Sequence, residues 1–330
     1  MTIRLVHIGL GEMGRRHADT WKEMPGVHVS AVCDADSSKR DLAARYAPMF
    51  YTDLAEAIKN EKPDVVDLVV PAGDHYRLMN ELVNLGVKYV LDEKPAVPIE
   101  QLELGRQIAE SARNAGTTIM VGDIMAYDPT VRALKQNLDK LGKLEYIMCE
   151  WRNPHLWKVD VGVNNDLLPH GAIVAEVLTN WAKYYTTNWE AKALYSNSNR
   201  VDFAMIDAKT VGSPKIGFLG TAAWIPRGME RMRRATIIGD KAIAEVDFLP
   251  ERRSIKIVPA ETTYKIRYGS AAERSKLDKR MDMETLQIPD EKPLTTELEH
   301  FKDCIEHNTA TITSLERSLQ TLEMLAQTTF

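Results

Sequence analysis

Gly9-Leu10-Gly11-Glu12-Met13-Gly14 follows the first apolar run of the chain, Ile3 to Ile8, and leads into Arg15 to Glu23, which can form a helix. Twenty residues past Gly14, at the end of the apolar run Val27 to Cys33, stands Asp34. Strand, glycine turn, helix and distal acid in this order form a dinucleotide-binding fingerprint. Gly9 permits a tight turn, Gly11 lets backbone approach a pyrophosphate, and Gly14 allows helix and strand to pack closely. The helix N-terminus, with Glu12 and Met13 in its first turn, offers N–H groups and a positive dipole end to phosphates. Asp34 would accept hydrogen bonds from the adenosine ribose, and its charge repels a 2′-phosphate. The expected cofactor is therefore NAD, although Lys39 and Arg40 lie close enough in sequence to admit NADP.

The alternation continues outward from this turn. Helical stretches at Lys39 to Tyr46, Asp53 to Asn60, Asp74 to Leu85 and Ile99 to Asn114 separate apolar runs at Asp64 to Val70, Val87 to Leu91 and Thr117 to Val121. Such a pattern predicts an α/β class fold, with a Rossmann-type doubly wound parallel sheet over residues 1–122. Ligands on that architecture sit outside the carboxyl ends of the strands. Beyond about residue 123 the pattern changes. Helices at Pro129 to Leu141 and near Pro169 to Tyr184 accompany a strand at Leu144 to Trp151. Strand-like runs follow at Glu190 to Tyr195, Lys215 to Trp224, Arg233 to Ile238, Ala242 to Phe248 and Ser254 to Val258. Residues 123–330 are thus expected to form a second α/β domain with a largely antiparallel open sheet. Asp202 to Pro214 and Gly269 to Asp290 read as irregular. Helices at Thr296 to Glu306 and Leu315 to Gln327 close the chain and can pack back on the first domain.

The 330 residues carry 42 basic and 47 acidic side chains, a net charge of −5, so nothing marks a nucleic-acid or membrane-surface binder. The first strand starts at Thr2 or Ile3, so no signal peptide is expected, and no apolar stretch is long enough to span a bilayer. Cys33, Cys149 and Cys304 show no C-x-x-C spacing, which fits a reducing compartment and argues against a zinc or disulfide framework. The expected location is the cytoplasm, and no metal is expected.

Two groups of residues carry candidate chemistry. At the end of the Val87 to Leu91 run lies Asp92-Glu93-Lys94-Pro95. An amine there can hold a substrate hydroxyl and stabilise alkoxide character during hydride transfer. A solvated loop lysine is the simpler reading, and the same tetrapeptide recurs as Asp290-Glu291-Lys292-Pro293; only the strand context separates the copies. The second group is Asp166 and His170, four residues apart. A histidine can take a hydroxyl proton near neutral pH while a carboxylate orients it. Asp166 also suits a simple helix N-cap, with Pro169 in the first turn.

Taken together, the motifs resemble the Gfo/Idh/MocA family, which includes glucose–fructose oxidoreductase and inositol dehydrogenase. The resemblance rests on G-x-G-x-x-G followed by His17, on Pro71 and His75 as P-x-x-x-H, on Glu93-Lys94-Pro95, and on Asp166 and His170 as D-x-x-x-H, all in order. It implies cofactor contacts from the glycine turn, Pro71, His75, Glu93 and Lys94. It also implies that Lys94, Asp166 and His170 match the family's catalytic lysine, aspartate and histidine and touch the substrate. Asn153, in Trp151-Arg152-Asn153-Pro154-His155, resembles an asparagine that contacts a polyol in inositol-dehydrogenase-like members, though Asn-Pro also starts turns. The implied activity is an NAD(P)-dependent oxidoreductase acting on a secondary hydroxyl of a sugar, cyclic polyol or related carbohydrate, in a homodimer or homotetramer. The alternatives are a redox-silent NAD(P)-binding regulator, or a sugar oxidoreductase that recycles a tightly bound cofactor. Where many members carry an arginine in the stretch after Val121-Gly122, this chain reads Asp123-Ile124-Met125-Ala126-Tyr127-Asp128-Pro129.

Arg227, Arg231, Arg233 and Arg234 form a basic cluster that could meet an acidic substrate, but a solvated strand edge or subunit contact is the simpler expectation. His7, inside the first strand, is expected to be a core histidine satisfied by hydrogen bonding.

Overall fold

The computed structural model describes residues 2–154, 161–193, 201–260 and 283–326. The chain forms two units. One comprises Met1–Ile124 with Lys292–Glu323, the other Met125–Glu291 with Met324–Phe330. Among the described residues, no helix is long and apolar enough to cross a membrane.

The first unit runs β1 (Ile3–Ile8), α1 (Glu12–Glu23), β2 (Val27–Cys33), α2 (Arg40–Ala43), β3 (Met49–Tyr51), α3 (Leu54–Glu61), β4 (Val65–Leu68), α4 (Ala72–Asn84), β5 (Tyr89–Glu93), α5 (Leu102–Ala115) and β6 (Thr118–Gly122). The strands form one parallel sheet in the order β3-β2-β1-β4-β5-β6. The order reverses between β1 and β4, which opens the crevice where this architecture takes its ligands. The central strands are apolar on both faces because helices cover both. Local signals set the helix ends. Asp53 caps α3 through a 2.7 Å bond from the Glu56 N–H, and α5 stops at Gly116 in the left-handed region.

The second unit begins with α6 (Pro129–Gln136), β7 (Leu144–Pro154), α7 (Val163–Asp166) and α8 (Leu168–Leu178). Its other strands are β8 (Tyr184–Lys192), β9 (Phe203–Thr210), β10 (Gly217–Ile225), β11 (Met232–Gly239), β12 (Ala242–Asp247), β13 (Ser254–Pro259) and β14 (Glu284–Thr285). The eight strands order as β14-β13-β12-β11-β7-β10-β9-β8, antiparallel except for the β7–β10 pair. The apolar helix α8 covers one face of this sheet across β7 and β10. The chain then returns to the first unit as α9 (Pro293–His307) and α10 (Leu315–Ala326), with Leu315, Leu319 and Leu322 in the core of the parallel sheet.

Two local expectations change. Asp202 to Pro214 is not irregular over its first part. Phe203–Thr210 is strand β9, whose Ala204, Ile206 and Ala208 alternate into the core while Asp207 and Lys209 point out. The helix expected to reach Tyr184 ends at Leu178, because Asn180 and Trp181 adopt positive φ and turn the chain into β8. Much of the Gly269 to Asp290 stretch, residues 269–282, lies outside the described residues, as does His155.

Candidate active site

Three glycines of the first turn divide the work as their spacing predicts. Gly9 has φ +93°, and a Cβ there would stand 2.1 Å from the Val69 carbonyl oxygen; a Cβ on Gly14 would stand 1.9 Å from the Gly9 carbonyl oxygen. A Cβ on Gly11 would meet open space, leaving room for a ligand against the backbone and the N-terminus of α1. Glu12 points away into an exposed ion pair with Arg16. Asp34 ends β2 with its carboxylate tied to the turn: Oδ2 accepts from the Leu10 N–H at 2.7 Å and from Lys39 Nζ at 2.9 Å. Arg40 lies over the Phe50 ring instead, 4.9 Å from its centroid. These residues fit an adenosine ribose and pyrophosphate, and Lys39 softens the charge that Asp34 sets against a 2′-phosphate.

Beneath this turn lies a buried network of ionisable groups. His7 faces Asp67 through Nδ1 at 2.8 Å and donates from Nε2 to the Gly9 carbonyl at 2.8 Å, so the expected core histidine also braces the glycine turn. His17 reaches Asp67 at 3.2 Å on one side and Glu93 Oε1 at 3.2 Å on the other. Trp21 Nε1 donates to Asp67 at 2.9 Å. Burial opposes charge on His17, but Asp67 and Glu93 outweigh it and hold the imidazole protonated well above its usual range. Burial likewise opposes charge on Asp67, yet His17 and His7 keep its carboxyl well below the usual range.

The second oxygen of Glu93 accepts from the Lys94 backbone N–H at 2.9 Å. The network thereby fixes the chain where β5 ends and half-buried Lys94 begins the following loop through a cis peptide to Pro95. His75, near the start of α4, donates from Nε2 to the Val70 carbonyl at 2.9 Å and faces Asp92 at 3.2 Å. Despite burial, Asp92 raises His75 to about 9. Its ring is almost wholly enclosed, so His75 acts on the corner after Pro71 and on Asp92 rather than presenting an open face.

Asp123 and Glu297 are acids whose burial the sequence does not announce. Burial pushes Asp123 up to about 7 against a Ser318 hydrogen bond. Burial, reinforced by Glu93, lifts Glu297 well above its usual range, and both of its oxygens are sealed without a hydrogen-bond partner. Asp67 left one signal, a lone acid inside the apolar run Val65 to Val70. Glu297 left none, since only the return of α9 to the first unit buries it.

In the second unit Asp166 closes α7 rather than capping the next helix. Leu167 occupies the N-cap position of α8, Pro169 sits in its first turn, and His170 follows within that turn. Asp166 and His170 are both half-buried. The His170 ring lies 6.3 Å from the Trp151 ring, which in turn lies 5.3 Å from Phe248. Gly171 lets α8 approach β7, since a Cβ there would stand 2.8 Å from that of Cys149. Asn153 shares the inner sheet face with Trp151, and its Oδ1 is sealed and unpartnered. Among the described residues, no group of three His, Cys, Asp or Glu side chains could hold a metal ion.

Residues 3–123 match the sequence model of the Gfo/Idh/MocA family, described as an oxidoreductase family with an NAD-binding Rossmann fold. That match spans the parallel sheet of the first unit. It is 26% identical to a D-apiose dehydrogenase of Paraburkholderia graminis over 133 residues, 40% of this chain and 35% of that protein. It is 27% identical to an inositol 2-dehydrogenase of Corynebacterium glutamicum over 158 residues, 46% of each. The chain thus spans less than half the length of these curated relatives. The fold extends further. A UDP-N-acetylglucosamine 3-dehydrogenase of Acidithiobacillus ferrooxidans superposes with a TM-score of 0.78 at 20% identity, covering 99% of this chain and 96% of that one. A levoglucosan dehydrogenase in complex with NADH and levoglucosan gives 0.80 at 15% identity, covering 98% and 95%.

Proposed function

We propose that the protein is an NAD-dependent dehydrogenase acting on a secondary hydroxyl of a sugar, cyclic polyol or related carbohydrate. The observation that carries this reading is the family match over the unit that holds the glycine turn, Asp34 and Lys94. Gly9, Gly11, Gly14 and the first turn of α1 hold the pyrophosphate, and Asp34 holds the ribose. Pro71, His75 and Glu93 shape the strand ends beside them. When bound, the nicotinamide supplies the hydride acceptor. Lys94 binds the reacting oxygen through Nζ and favours its alkoxide character. His170 takes the hydroxyl proton on its ring, and Asp166 orients the ring or the substrate. Asn153 contributes a substrate hydrogen bond.

The homodimer or homotetramer uses the face of the second sheet opposite α8, where Met148, Met205, Leu219 and Ile238 stay half-buried on an open surface.

The test is nicotinamide absorbance with NAD and a panel of inositols, aldoses, sugar acids and glycosides, on a preparation whose mass is measured in the same buffer. Lys94→Ala and His170→Ala should each lower kcat by about a hundredfold or more, and His170→Ala should leave NAD affinity within about threefold. Unchanged turnover in both variants would end the assignment. A tenfold preference for NADP, about 1.4 kcal/mol, would overturn the cofactor choice, and a monomer the assembly.

A further inference from the structure

The four arginines of the basic cluster have different fates. Arg231 pairs with Glu251 and Arg234 with Asp247. Arg227 is exposed. Arg233 differs from all three. It is half-buried, its Nε is shut away from solvent without a hydrogen-bond partner, and it makes no ion pair among the described residues. Its place in the sheet is fixed by register: Arg233 on β11 stands directly opposite Trp151 on β7. Directly opposed residues of an antiparallel pair share a face, with Cβ atoms about 5 Å apart. Arg233 therefore shares the inner face with Trp151, beside which the His170 ring lies. Asn153 is on the same strand and the same face, two residues on.

Three polar atoms on that face are sealed and unsatisfied: Arg233 Nε, Trp151 Nε1 and Asn153 Oδ1. Trp151 is only 1% exposed. Each such group carries a desolvation cost until something bonds to it, and a larger one where the group is charged. Two are N–H donors and one is an acceptor. Burial, with Arg231 close by, holds the guanidinium below its usual pKa, while the fields of Asp166, Glu251 and Asp128 offset this only in part.

We propose that Arg233 is a specificity-determining substrate ligand, and that the carbohydrate carries a carboxylate, as in a uronic or aldonic acid. This rests on the dehydrogenase reading above and narrows its substrate class. The carboxylate accepts from the Arg233 guanidinium. A neutral sugar leaves the guanidinium without a counterion. Selection against neutral sugars follows from that cost.

The test is calorimetric titration of glucuronate, galacturonate and gluconate, and of glucose, galactose and glucitol, into the full chain saturated with NAD. The acids that bind should do so at least tenfold more tightly than their neutral counterparts. Arg233→Met should remove at least tenfold of that affinity, and Arg233→Lys should restore part of it. A thermal melt of each variant separates a lost contact from a lost fold. The proposal falls if no acid outbinds its neutral counterpart, or if folded Arg233→Met binds the acids as the parent does. Hydride transfer is read separately from nicotinamide absorbance. Acids bound through Arg233 without any reduction of NAD would end the dehydrogenase reading and leave this one standing. Turnover of neutral sugars as efficiently as acids would do the reverse.

Discussion

The carboxyls of Glu297 and Asp123 are kept protonated by burial in a unit that already encloses Asp67, Asp92 and Glu93. In the unfolded chain both ionise near their ordinary values of 4.5 and 3.8. Above that range the folded state holds more protons, so stability falls as pH rises until the folded groups ionise, at about 7 for Asp123. His17 and His75 act in the same direction. Their raised values contribute stability that is full below 6.5 and is lost as pH rises, through about 9 for His75. Asp67 opposes them only at the acid end, where its contribution is lost as pH falls below 3.8. The thermal midpoint should therefore fall between about pH 5 and pH 9. Asp123→Asn should flatten that fall by up to about 4 kcal/mol, and Glu297→Gln should flatten it in the same sense. Parallel melting curves for parent and both variants across that range would refute the assignment of these protons. At this scale the sequence displayed the glycine turn, Asp34 and Lys94, because each sits beside a strand end. The protonation of Glu297 was invisible, since it depends on what a distant helix is buried against.

Helix α8 carries His170, and its end is held from another element. Lys135 of α6 donates to the Val177 carbonyl at 2.5 Å, to the Leu178 carbonyl at 3.3 Å and to Asn180 Oδ1 at 2.6 Å. A cation on the last carbonyls satisfies acceptors that a helix end leaves open and complements the dipole. Replacing it by Met keeps the bulk but removes the donors, so Lys135→Met should cost about 1–3 kcal/mol. A denaturant midpoint unchanged from the parent would show that water replaces the lysine. The same region shows why helix ends were the harder part of the sequence to read. Trp181 and Tyr184 continue an apolar pattern past Leu178, whereas the chain leaves the helix through two non-glycine residues at positive φ, with no glycine to mark the place. Strand β9 was hidden for a related reason. Its inner residues are Ala204, Ile206, Ala208 and Thr210, mostly small and one of them polar, so they do not register as an apolar run.

The first unit is discontinuous, and its core is completed by residues nearly two hundred positions beyond its last strand. Leu298 and Phe301 of α9 are fully buried, α9 packs on α1, and Leu319 of α10 fills the space that a Cβ on Gly105 would need, at 2.5 Å. Ser314 bridges to Met120 on β6, and the Val121 N–H donates to the Thr313 carbonyl at 2.8 Å. A fragment of residues 1–124 contains the whole parallel sheet and every residue assigned to the dinucleotide turn. It nevertheless exposes the faces that these helices cover. Losing several large buried side chains at about 2–5 kcal/mol each exceeds the stability of an ordinary domain. The fragment should therefore show no cooperative thermal transition and no measurable NAD binding by calorimetry. A cooperative melt with full-chain NAD affinity would overturn this account.

By itself the sequence determined the parallel sheet, the glycine turn with its helix, the acid at the end of β2 and the lysine at the end of β5. These follow from periodicity and from backbone geometry that only glycine tolerates, both local properties. Tertiary structure alone decided which acids keep their protons, that the last two helices complete the first unit, and that one arginine of four is half-buried with no ion pair among the described residues. Burial and pairing depend on which distant residues meet, so the charge of a side chain is written in the sequence while its cost is set by the fold.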